Sequence, residues 1–304
     1  MRKLPLKRIQ IITLIALAAA LSSVPGCGKA EAPKAPTTTP TTTPKALSTT
    51  DAKSVINKLY AALKVKNPDL KENAKVDPPD GDEIIVLSLR ECNVSDLSAL
   101  AGMKLHMIDL SENPVTDLSP LKGMPLDAVY LEGTKVSDLS PLKGATIVEI
   151  YLSRTPISDL SPLEGMPISS LNLLGTHVEN IAPLATMPLN SLWLNSTPVS
   201  DISPLAGCRQ LITLTLYGTH VTDLTPIAGL LQLQRLHIGN TNITDLRPLE
   251  RMNLTRLIFD PAKIEHGIEL IRDMPGLQEI GTTLDTRMSP REFWQRYDAG
   301  EFKK

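Results

Sequence analysis

Between residues 84 and 260 the chain repeats one pattern of apolar and polar positions. Aligned on L-x-x-L-x-L, the units start at Ile84, Leu105, Leu126, Ile147, Ile168, Leu189, Leu211, Leu233 and Leu254. The spacings are 21, 21, 21, 21, 21, 22, 22 and 21 residues. In the first eight units, positions 1, 4, 6, 11, 14 and 17 are Leu, Ile or Val at all 48 sites, so every unit sends the same six side chains to a common core. A unit this short cannot bury its apolar face alone. A fixed period of this length therefore predicts coils stacked into a solenoid.

Each coil can be read position by position. Positions 3 to 7 alternate, as in Ala128-Val129-Tyr130-Leu131-Glu132, which predicts a short strand with one buried face. Position 9 reads Cys92, Asn113 and then Thr134, Thr155, Thr176, Thr197, Thr219 and Thr241. These side chains can bond to the backbone at the turn out of the strand, threonine with a shorter reach and fewer donors than asparagine. Then comes S-D-L-S-P-L, as in Ser137 to Leu142, where Ser140 reads as an N-cap with Pro141 at the first helical position. So short a coil leaves no room for a full α-helix, and a 3₁₀ turn is predicted on the convex side.

These units resemble the leucine-rich repeat, in the short form of bacterial internalins and related D-L-S-P-L-K-G-M-P-L arrays. The resemblance is close over residues 84–260 and weakens in the ninth unit, where Gly267 falls at position 14. It implies an α/β solenoid: a right-handed coil with a parallel β-sheet on the concave face, 3₁₀ turns on the convex face and helical caps. An N-terminal cap is expected over 51–83, where Val55, Ile56, Leu59, Tyr60 and Leu63 share one helical face. The array is expected over 84–276 and a C-terminal cap over 277–304. There Ser289-Pro290-Arg291-Glu292 is a capping-box pattern, followed by Phe293, Trp294 and Tyr297 as cover for the core.

The first 26 residues have a different character. Arg2, Lys3, Lys7 and Arg8 precede an apolar run from Ile9 to Val24, too short for a comfortable membrane span. The run ends Val24-Pro25-Gly26-Cys27, which resembles a bacterial lipobox and implies cleavage and lipidation at Cys27. An ordinary signal peptide with an incidental cysteine, or an uncleaved anchor, fits the same residues. Residues 28–50 hold four prolines and eight threonines and only Leu47 as a large aliphatic, so they read, with Cys27, as a tether spanning 27–50. Gly28, and not Asp, follows the cysteine. The expectation is an exported chain held by lipid at the cell envelope, at the outer membrane or cell surface in preference to the inner membrane.

Composition narrows the function classes. The 304 residues carry 31 Lys+Arg against 33 Asp+Glu, and 3% are aromatic, so neither a basic patch nor a stacking platform for nucleic acid is expected. No phosphate-binding, dinucleotide-binding, nucleophile-elbow or zinc-protease motif occurs, and the chain reads as a non-enzyme without a cofactor. Asp96, Asp117, Asp138, Asp159, Asp201, Asp223 and Asp245 form a column at position 13. Each precedes a buried leucine or isoleucine beside the turn, which suits a local backbone hydrogen bond better than a calcium site. His177 and His220 share position 10 two coils apart, roughly 10 Å, too far to chelate one ion. Cys92 and Cys208 lie five coils apart, roughly 24 Å, beyond the reach of a disulfide.

The concave face then holds the candidate chemistry. Its outward positions carry Tyr130, Tyr151, Trp193 and Tyr217, four of the seven Tyr and Trp residues in the chain. Around them lie Glu132, Glu149, Asn172 and Arg235. Large amphipathic rings on an exposed sheet suit binding, and solenoids use extended concave surfaces to bind. The competing expectation is that the rings pack on each other as cross-strand pairs. The sequence thus predicts a monomeric envelope lipoprotein that binds a protein or glycan on this face. The alternative is a passive spacer with no specific ligand.

Overall fold

The computed structural model describes residues 49–71, 75–76 and 85–302; Cys27, the leader over 1–26 and most of the tether lie outside them, as do the side chains of Val55, Ile56 and Ile84. Among the described residues, eleven strands form one sheet in sequence order. They are β1 (Lys75–Val76), β2 (Val86–Ser88), β3 (Met107–Asp109), β4 (Ala128–Tyr130), β5 (Glu149–Tyr151), β6 (Ser170–Asn172), β7 (Ser191–Trp193), β8 (Thr213–Thr215), β9 (Arg235–His237), β10 (Arg256–Ile258) and β11 (Glu279–Gly281). From β2 to β11 all pairs are parallel, and the register sets position 3 on position 3 and position 5 on position 5. Short β1 runs antiparallel to β2 and closes that edge of the sheet.

Each coil returns through a 3₁₀ turn, such as Ser119–Leu121, Ser140–Leu142 and Ser161–Leu163. The capping differs from the expected one. Ser140 is the first residue of its turn and not the N-cap, and the Leu139 that precedes it makes no side-chain cap. Asp138 does that work: its Oδ1 accepts the Ser140 N–H at 2.8 Å, while the Ser140 hydroxyl donates to Oδ2 at 2.7 Å. The same bond from residue i+2 recurs at Asp96, Asp117, Asp159, Asp201, Asp223 and Asp245. These bonds hold Asp96, Asp117, Asp138, Asp159 and Asp201 below the usual carboxylate range and Asp245, bonded to Arg247, at about 2. Turn chemistry therefore accounts for the column. Among the described residues no three His, Cys, Asp or Glu side chains are placed to hold a metal ion.

The position-6 and position-9 residues close each strand. Asn113 donates through Nδ2 to Leu89 O (2.7 Å) in the coil before and Leu110 O (2.9 Å) in its own, and accepts from Val94 N at 2.8 Å. The threonines bond only within their coil, as Thr134 does to Leu131 O at 2.7 Å. Position 8 has positive φ in each of the first eight coils, and three of them place glycine there. Gly133 also leaves room for the Glu112–Arg154 ion pair that crosses it: an added Cβ would sit 2.5 Å from Glu112 Oε2.

Helix α1 (Thr49–Lys66) buries Leu59 and Leu63 against the first coil. Asn67, just beyond it, is buried and accepts Ser95 N (2.8 Å) and Asp96 N (3.0 Å) on one oxygen. At the other end Gly267 opens α2 (Ile268–Arg272), because a Cβ there would meet Arg247 N at 2.7 Å. The region read as cap alone supplies the tenth parallel strand, β11. Behind it α3 (Pro290–Asp298) starts as expected, with the Ser289 hydroxyl accepting the Glu292 N–H. Phe293 is fully buried between Phe259 and Phe302, which covers the end of the core. Cys92 and Cys208 are both buried and form no disulfide. Among the described residues no helix is long and apolar enough to cross a membrane.

Candidate ligand-binding site

The parallel register lines the outward residues into rows across the sheet, and the rows divide the concave face in two. In the N-terminal half Met107, Ala128, Tyr130 and Tyr151 form a second, small core outside the main one, with Val86 and Trp193 packed against it. Tyr130 and Tyr151 were expected to be exposed; they are 1% and 6% exposed. The cause is their pairing. Their rings meet edge to face at 5.1 Å, and Tyr151 meets Trp193 in the same way at 5.9 Å. Tyr130 Oη donates to Glu149 Oε2 at 3.1 Å and Tyr151 Oη lies 3.5 Å from Glu149 Oε1. Burial raises the pKa of Glu149, and pushes Tyr151 up to about 12 and Tyr130 higher. Glu132 is buried as well, its pKa raised by desolvation, with Arg90 Nη1 3.7 Å away.

The C-terminal half is open. A cleft of about 400 Å³ runs along it, within the range of small-ligand sites. Glu132, Tyr151, Asn172, Trp193 and Arg235 line it; Tyr130, Glu149 and Tyr217 do not. Tyr217 is exposed, its ring 5.2 Å from that of His237.

Other residues complete the walls, of which the sequence reading singled out neither Arg154 nor Leu284. Arg154 enters from position 8, Thr215 and His237 from the position-5 row, Arg256 from position 3 and Leu284 from the loop behind β11. His237 is 6% exposed, neither ring nitrogen has a hydrogen-bond partner, and Thr215 Oγ1 is also buried without one. Burial lowers the His237 pKa to about 4, against a smaller opposing effect of Asp260, so the imidazole is neutral. The position-5 column contained this histidine in plain view. Its lack of partners is a property of the fold alone.

No family model matches the chain, and no curated protein does. Solved structures do. Internalin InlF from Listeria monocytogenes aligns with a TM-score of 0.55 at 29% identity, over 65% of this chain and 66% of that one. Internalin C2 from the same organism aligns with a TM-score of 0.53 at 26% identity, over 74% of this chain and 92% of that one. The leucine-rich-repeat ectodomain of the Arabidopsis thaliana receptor kinase GASSHO1, solved with CASPARIAN STRIP INTEGRITY FACTOR 2, gives 0.50 at 15% identity, over 60% of this chain and 25% of that one. The chain is thus a leucine-rich-repeat solenoid, similar in fold to these bacterial internalins.

Proposed function

We propose that this chain is a binding module whose open concave half takes a macromolecular partner, and that Cys27 anchors it by lipid at the cell envelope. The observation that carries the first part is the cleft itself. Half of the concave face is sealed by its own rings, whereas the other half leaves Trp193, Arg235 and the unpartnered His237 lining open space. A spacer has no use for such a cleft, and the bacterial neighbours share a fold whose concave surfaces serve binding. The second part is supported by the basic start, the apolar run and the cysteine at its end. The test of the first part is affinity capture with the full chain as bait, beside a Trp193→Ala/Arg235→Ala chain. A partner retained by wild type and lost by the variant is expected; equal retention by both contradicts the reading. For the anchor, a diacylglyceryl mass on the peptide starting at Cys27 is expected, and its absence sinks that part.

A further inference from the structure

The charges around the cleft are matched, with one exception. Arg154 pairs with Glu112, Arg256 with Glu279 and Glu132 with Arg90. Arg235 has only the hydrogen bond from its Nε to Thr213 Oγ1, 2.9 Å, and among the described residues no carboxylate lies within ion-pair reach of it. Its terminal amino groups therefore leave one positive charge unmatched at the cleft. Two residues along the same strand, on the same face, stands His237, and next to His237 in the position-5 row stands Thr215, both buried and without partners.

These groups define a chemistry. A neutral imidazole presents one donor and one acceptor, and a hydroxyl presents both. A ligand that satisfies them has to donate and accept at adjacent points, as neighbouring hydroxyls do. Trp193 follows Thr215 in the same row and adds a half-buried ring on which a face of C–H groups can lie. An apolar peptide anchor would leave His237 and Thr215 as they are, buried and unpartnered, whereas a polyhydroxylated ring would not.

We infer that the cleft binds an acidic sugar residue, its carboxylate on Arg235, its hydroxyls on Thr215 and His237, and its C–H face on Trp193. The inference rests on the concave-face reading above and narrows it to a ligand class. The sugar belongs to a polysaccharide or to the glycan of a partner protein. The imidazole nitrogens and the Thr215 hydroxyl are covered in the unbound chain, so this binding mode requires neighbouring side chains to shift; the exposed Tyr217 ring stands beside the imidazole.

The test is calorimetric titration of the full chain with short oligosaccharides of glucuronate, galacturonate and sialic acid, beside a neutral N-acetylglucosamine oligomer. At least one acidic oligomer is expected to bind saturably and at least tenfold more tightly than the neutral one. Arg235→Gln should abolish that preference. His237→Phe should weaken the acidic ligand about tenfold while the melting temperature stays level or rises, since an apolar ring of like shape removes two unsatisfied atoms. Failure of all three acidic ligands, or equal binding of acidic and neutral ones, overturns the assignment. So does unaltered binding by both variants, or a His237→Phe chain that melts lower than wild type. If the sugars fail while a captured partner still needs Trp193 and Arg235, the acidic-sugar assignment falls alone and the concave-face reading stands.

Discussion

His237 gives the account a pH signature that no other residue of the cleft shares. In the unfolded chain its imidazole titrates near 6.5; in the fold, burial brings it to about 4. Above about pH 6.5 both states are neutral and the residue is silent. Between there and pH 4 only the unfolded chain takes up the proton, so stability falls as the pH falls through that window, by up to about 3 kcal/mol. Urea unfolding at pH 7.5 and at pH 5 should therefore show a loss in wild type that is smaller in His237→Phe. An equal loss in both chains would place a proton or a partner on the imidazole that the geometry does not show. At this scale the sequence was legible where chemistry is local. The Asp column could be read as turn capping because each carboxylate needs only the N–H two residues on. Ser140 was misread for a related reason. A serine before proline suits an α-helix N-cap, but a three-residue 3₁₀ turn takes its cap from the Asp two positions earlier.

The strands show where alternation stops being informative. Period 2 states which side chains leave the core face, but it is silent on how deeply the outward ones sink. That depth is set across the sheet, where parallel register puts Tyr130 beside Tyr151 and lets the two rings desolvate each other over Glu149. Truncation should follow depth and not side. Leu152→Ala, in the main core, should cost ~2–5 kcal/mol. Tyr130→Ala, on the outward face, should cost a similar ~3–5 kcal/mol, as for a core aromatic. Tyr217→Ala should stay within ~0.5 kcal/mol. Chemical denaturation of the three variants checks the order. A Tyr130→Ala chain as stable as wild type would mean that the ring cluster adds nothing to the fold.

Across the whole molecule, the repeat made most of the architecture legible before any coordinate. Six apolar positions per coil fix the core, and the two 22-residue units disturb it little. The extra residue of the unit at Leu189 is absorbed in a longer 3₁₀ segment, Ser203–Gly207, on the convex side. The ends were harder to read. The tenth parallel strand escaped because Thr282 stands where position 6 wants a leucine. The cleft was half legible: Asn172, Trp193 and Arg235 follow from strand alternation. The sealing of one half, the unmatched charge and the approach of Leu284 depend on contacts between coils that no single repeat encodes. Position-specific side-chain oxidation by hydroxyl radicals, read by mass spectrometry with and without bound ligand, tests the central claim most directly. Ligand should slow oxidation at Trp193 and Leu284 and leave the exposed Val65 and Leu231, which lie outside the cleft, unchanged. Protection of Val65 or Leu231, with Trp193 and Leu284 oxidised as fast as in the unbound chain, would contradict the account.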